Sequence, residues 1–178
     1  MEELSLSEAR RRLHEDDDVL REAIAGRTPE ELTEPHTVAG RPIGDFCDSL
    51  RDLVAHHTMW REIDLAVLVD ALGGRRHWST TARWSTRAAG ARLNRAGVVG
   101  ARILLVDEVL DRFDAATASL LGTLDRLDRR RWTEPVFPDD DVTLGRWIQT
   151  HFSVPGQPPF RHATFHLNGV PGSAVDPA

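Results

Sequence analysis

Apolar residues in this chain return every three or four positions over four long stretches, and almost nowhere do they alternate with polar ones as a half-buried strand requires. That period calls for helices packed against one another and leaves little material for a sheet. In the first stretch Leu6, Ala9, Leu13, Asp16, Leu20 and Ala23 form one stripe, interrupted only by the acid Asp16, and Gly26 supplies a stop. Residues 28–33, Thr-Pro-Glu-Glu-Leu-Thr, read as one capped turn within a connection punctuated by Pro35, Gly40, Pro42 and Gly44. The second helix is expected to start at Asp48 or Ser49 and to end near Leu72, before Gly73 and Gly74. Its inward stripe is Leu53, His56, Trp60, Ile63 and Val67. The neighbouring stripe of His57, Arg61 and Asp64 is expected to face water more.

The next stretch, residues 75–100, is rich in Arg, Trp, Thr and Gly and reads as a long connection holding one short helix at 86–95. A third long helix is expected over 101–128, with the seam Ile103, Val106, Leu110, Phe113, Thr117, Leu120, Leu124 and Leu127. A last helical region starts at Val142 or Thr143 and carries Trp147, Ile148 and Phe152. Pro155, Pro158 and Pro159 break it, and it resumes over 160–168. The fold class that follows is all-α, an antiparallel four-helix bundle with a long connection between helices 2 and 3. One domain spans residues 1–168, and residues 169–178 form a loose tail.

Composition narrows the chemistry. All 22 basic residues are Arg, and the chain has one cysteine, no tyrosine and a net charge of -6. Lysine Schiff bases, a P-loop lysine and tyrosine acids are thereby excluded, as is an internal disulfide or a multi-cysteine zinc site. The scattered arginines make nucleic acid a poor partner, since phosphate affinity needs clustered cations. No apolar run approaches the roughly 18 residues of a membrane span, and the acidic N-terminus is unlike a secretory signal, so the expectation is a soluble, cytoplasmic protein. Cys47 precedes a helix whose dipole favours thiolate, but no paired base accompanies it, which argues against a nucleophile. The runs at 10–12, 15–18, 129–131 and 139–141 read as solvated helix faces and ends.

Histidine is left to carry the chemistry. His162 and His166 stand four apart, which on a helix places both on one face with Cβ atoms about 5–6 Å apart. Two imidazoles so placed can converge on one ion at about 2.0–2.1 Å, or can simply be solvated or capping residues. His56 lies within an apolar stripe, where a lone imidazole needs a partner, either a backbone carbonyl or a metal. One inward His and an inward pair would give three neutral ligands to a divalent ion, leaving its charge free to lower the pKa of bound water to about 7. His57 is the fallback ligand should the register shift by one. Asp16 is in phase with the first helix's apolar stripe and could orient a ligand or the attacking water; its alternative is exposure within the acidic run. Trp60 is either a pocket wall beside the metal or an ordinary core aromatic.

Several segments, in order, resemble a known family. Leu50-Arg51-Asp52-Leu53-Val54-Ala55-His56 with Thr58 and Trp60, the turn at 28–33, Leu93-Asn94-Arg95, and Trp147-Ile148 with His162-Ala163-Thr164-Phe165-His166 are similar to the DinB/YfiT-like four-helix bundles, in particular the ClbS/DfsB-like branch. The resemblance covers residues 5–168 and departs at 153–159, where a proline-rich segment interrupts a helix that is usually continuous and could displace His162 and His166. It implies a site of His56, His162 and His166 for a divalent metal such as zinc or nickel. It also implies hydrolases and low-molecular-weight-thiol-dependent transferases or isomerases that act on reactive small molecules. The leading expectation is a metal-dependent enzyme that disarms a small electrophile by hydrolysis, for detoxification or self-resistance. The thiol-dependent transferase or isomerase is the runner-up, and a noncatalytic small-molecule binder is the third reading. A small-molecule substrate, no membrane partner and a homodimer as one possible assembly complete the expectation.

Overall fold

The computed structural model describes residues 3–35, 46–84, 86–137, 141–153 and 157–167. Among them the chain is helical, with α1 at Leu6–Ile24, α2 at Pro29–Thr33, α3 at Leu50–Leu72 and α4 at Arg87–Ala101. α5 follows at Val106–Asp125, α6 at Arg129–Thr133, α7 at Leu144–His151 and α8 at His162–Leu167, with a short 3-10 turn at Trp78–Thr80. No strand occurs among the described residues beyond an isolated bridge between Pro135 and Thr143. None of the described helices is long and apolar enough to cross a membrane. The expected tail at 169–178, the acidic run at 139–141 apart from Asp141, and Pro155 and Asn168 lie outside the described residues.

Helix starts follow from side chains that take up free amides. Ser5 accepts from the Glu8 amide, and Thr28 forms a reciprocal capping box with Glu31. Ser49, rather than Asp48, caps α3 by accepting from the Asp52 amide. Thr143 caps α7. Gly26, at φ 70°, ends the first segment in a conformation that favours glycine.

Several boundaries differ from the sequence expectation: the third long helix ends at Asp125 and not 128, the last one starts at His162 and not 160, α6 was not expected, and the widest differences lie around 86–106. The helix expected at 86–95 continues to Ala101, and the third long helix starts at Val106 instead of 101. The chain turns at 102–105 because its carbonyls and side chains are held by α3. Arg51 donates to the carbonyls of Ala101 (2.6 Å) and Leu104 (2.7 Å), and Arg102 pairs with Asp52 at 2.6 Å. Ile103, placed in the seam by period alone, is consequently 88% exposed.

α3 is the central element, packing most extensively on α5 and next on α4, while α1 packs on α8 and α5. Two apolar clusters result. One gathers Leu6, Leu13, Val67, Leu68, Leu120 and Ile148, the other Leu20, Leu53, Val54, Phe113, Ala163 and Leu167. α3 and α5 both run from the second cluster to the first, and α1 runs the other way. Between the clusters each of these helices buries polar groups: Asp16 on α1, residues from His56 to Asp64 on α3, and Thr117 on α5. The fold therefore holds a polar layer between two apolar ones.

Candidate metal centre

α8 has six residues, too few to be stable in isolation. Its position depends on α1. Asp16, buried to 1% exposure, accepts from the amides of Ala163 (2.9 Å) and Thr164 (3.0 Å) and from the Thr164 hydroxyl (3.0 Å). The carboxylate thus takes up the first free amides of the helix that carries both C-terminal histidines. Burial raises the Asp16 carboxyl above its ordinary value, and these hydrogen bonds oppose that rise. The expectation of exposure within an acidic run is corrected for Asp16 and for Asp17, which is also buried and pairs with Arg21 at 2.6 Å. Phe160, two residues before α8, is buried at φ 59°, a left-handed conformation costly for a residue with a Cβ. Packing of Phe160 in the first apolar cluster offsets that cost and sets the direction in which the chain enters α8.

The proline-rich break does not separate the histidines. The Nε2 atoms of His56 and His162 are 2.9 Å apart, and His56, His162 and His166 each offer a ring nitrogen within 4.8 Å of the others. His56 and His166 are buried and His162 is half-buried. These three residues lie close enough to hold a metal ion. Two nitrogens bound to one ion at about 2.0–2.1 Å lie roughly 2.9–3.4 Å apart for angles from a right angle to tetrahedral. The His56–His162 separation fits that range. Burial holds His56 and His162 well below the ordinary histidine value of 6.5, with neighbouring imidazoles adding to the effect, so both present neutral, ligand-competent rings.

The stripe expected to face water is instead buried. His57, Arg61 and Asp64 are each under 10% exposed. The reason is that α3 is covered on several sides, by α5, α4, α7 and the short 3-10 turn, so one stripe cannot describe its buried surface. The His57 ring lies 4.5 Å from that of His162, and its Nε2 has no hydrogen-bond partner; burial and then His162 hold it well below 6.5. Burial likewise pushes Asp64 well above 3.8, with Arg61 opposing. A narrow cavity borders the histidines, lined by Asp16, His57, Trp60, Arg61, Asp64 and His162. Trp60 is partly buried at this cavity and donates its indole N–H to Asn94 at 2.8 Å. Asn94 belongs to the Leu-Asn element but drew no site role from sequence; it is buried on α4 and sets the indole's orientation.

Other groups fall away from the centre. Cys47 is buried, and burial, then the carboxylates of Asp52 and Asp48, push its thiol far above the usual range, which removes it as a nucleophile. His14 is about half exposed, His77 caps the 3-10 turn, His151 bonds the Trp147 carbonyl, and His36 lies outside the described residues. A larger cavity of about 210 Å³ lies on the α4 and α5 side of α3, lined by Ala55, Met59, Gly97, Leu104 and Arg112, and none of the histidines reaches it. No family model matches the sequence, and neither a curated protein nor a solved structure matches it.

Proposed function

We propose that this chain is a metal-dependent enzyme of the DinB-like kind, an antiparallel four-helix bundle that hydrolyses a small reactive electrophile and so serves detoxification or self-resistance. The observation that carries the reading is the convergence of His56, His162 and His166 from two helices distant in sequence. Zinc or nickel fits an all-imidazole donor set, and when bound such an ion supplies a Lewis acid that lowers the pKa of a ligated water to about 7.

The remaining work belongs to the chain's own residues. Asp16 fixes the start of α8 and with it the direction of His162. The two apolar clusters on either side of the polar layer exclude bulk water and strengthen every charge interaction inside it. Trp60, held by Asn94, forms a wall of the cavity beside His162, which at about 10 Å³ has room for about one water. His57, neutral and with Nε2 unpartnered, offers a hydrogen bond to a bound molecule beside His162.

The test is metal content of purified protein, measured for wild type, His56→Ala and His162→Ala. About one equivalent in wild type and its loss in both variants is expected of a single three-ligand site. Folded wild type that holds no ion even after reconstitution with zinc and nickel would overturn the reading.

A further inference from the structure

Arg61 is a cation in a place that offers it almost nothing. Its side chain is 7% exposed, and its Nε is buried with no hydrogen-bond partner among the described residues. The one carboxylate oxygen within reach, Asp16 Oδ2, is 4.0 Å away, beyond hydrogen-bond distance. Both Asp16 oxygens are already engaged by α8. Asp64, the other acid lining the cavity, forms no ion pair with Arg61 within 4.0 Å, and its burial favours the uncharged form. A buried guanidinium with an unpartnered donor is costly, and a chain gains nothing from it unless a bound group completes the set.

The arginine also lies where a ligand would arrive. It shares the narrow cavity with His57, Trp60 and His162, and His162 is one of the three converging histidines. The planar guanidinium fork matches a carboxylate through two parallel hydrogen bonds, and a flat carboxylate demands less widening of a cavity of about 10 Å³ than a tetrahedral phosphate does.

We infer that Arg61 is the specificity-determining residue of this site, and that the small molecule taken up beside the three histidines carries a carboxylate that pairs with the Arg61 guanidinium. This deepens the proposed function and rests on it for the identity of the reacting centre. The pairing itself depends on the chain alone.

The probes are acetate, its neutral counterpart acetamide, and inorganic phosphate, titrated calorimetrically into full-length protein as purified and after chelation, with ion content measured in parallel. Acetate is expected to bind saturably in both preparations, with acetamide and phosphate weaker. Arg61→Gln should weaken acetate about tenfold or more, as loss of a hydrogen bond to a charged group does, and Arg61→Lys should recover part of the affinity. Circular dichroism of both variants establishes that they fold. The inference fails if folded Arg61→Gln binds acetate like wild type, if chelation abolishes binding, or if acetamide or phosphate binds as tightly as acetate. Acetate binding that needs Arg61, in folded protein that holds no ion as purified and takes none up on reconstitution with zinc and nickel, would uphold this inference while sinking the metal reading. Binding indifferent to Arg61 in a metal-loaded protein would do the reverse.

Discussion

Two polar clusters are buried on the same helix, little more than one turn apart, and they are built on opposite terms. At the start of α3, Arg51 and Asp52 are tied to named partners: Arg51 to the carbonyls of Ala101 and Leu104, Asp52 to Arg102 and to the Asp48 amide. Further along, His56 Nδ1, His57 Nε2 and Arg61 Nε have no partner at all. Buried polar atoms are usually satisfied, so an unsatisfied set beside three converging histidines marks the place where the fold forgoes stability. The first cluster ties α4 to α3. The second faces a cavity.

The contrast is sharpest in its response to acid. Burial holds His56, His57 and His162 well below 6.5 in the folded chain, whereas the unfolded chain protonates them near 6.5. Their contribution to stability is therefore complete above pH 6.5 and is lost as pH falls below it through the folded values, at no more than about 1.4 kcal/mol per histidine per pH unit. Asp16 and Asp64 run the other way: raised in the fold, they favour it below pH 3.8 and lose that contribution as pH rises through their folded values, a partial offset. Urea denaturation of chelated protein should show stability falling between pH 7 and pH 5. A flat profile would mean that the histidines are not held neutral.

Next in size is the bonded cluster. Asp52→Ala removes the partner of the Asp48 amide and one of the acceptors of Arg102, which is 39% exposed and keeps the Phe46 carbonyl and Asp48, and should cost about 2 kcal/mol in chemical denaturation. Its metal content should stay at the wild-type level, because the cluster serves only to join helices. Asp16→Asn weakens the hold on α8 and should cost about 2 kcal/mol, with metal affinity falling about tenfold in a competition titration. Unchanged affinity would show that α8 is positioned without it. Smallest is Arg61→Met, expected within about 1 kcal/mol of wild type or more stable, since it removes a buried charge with an unpartnered donor. Destabilisation equal to that of Asp52→Ala would erase the distinction between the clusters.

Legibility in the sequence was uneven for physical reasons. Period and caps placed α2 and α3 closely, because Thr28 and Ser49 act on amides three residues away, and period placed α1 and the start of α7. The break at 102–105 was hidden, since it depends on Arg51, some fifty residues earlier in the chain. His56 was readable as lying within an apolar stripe, and His162 with His166 as sharing one helix face, which left a solvated or capping role open for that pair. Asp16 was readable as in phase with a stripe, but its role as acceptor for the amides of α8 was not, because that contact spans 147 residues. Arg61 and Asp64 were assigned to water because a single-stripe picture fails for a helix covered on several sides.

The central claim is that His56, His162 and His166 share one divalent ion. Its most direct test is anomalous diffraction from crystals of protein reconstituted with zinc or nickel, recorded on either side of the metal's absorption edge. The account predicts a single strong peak about 2.0–2.1 Å from a ring nitrogen of each of the three histidines. A peak bound to His57 in place of His56, or no peak between α3 and α8 in metal-saturated crystals, would contradict it.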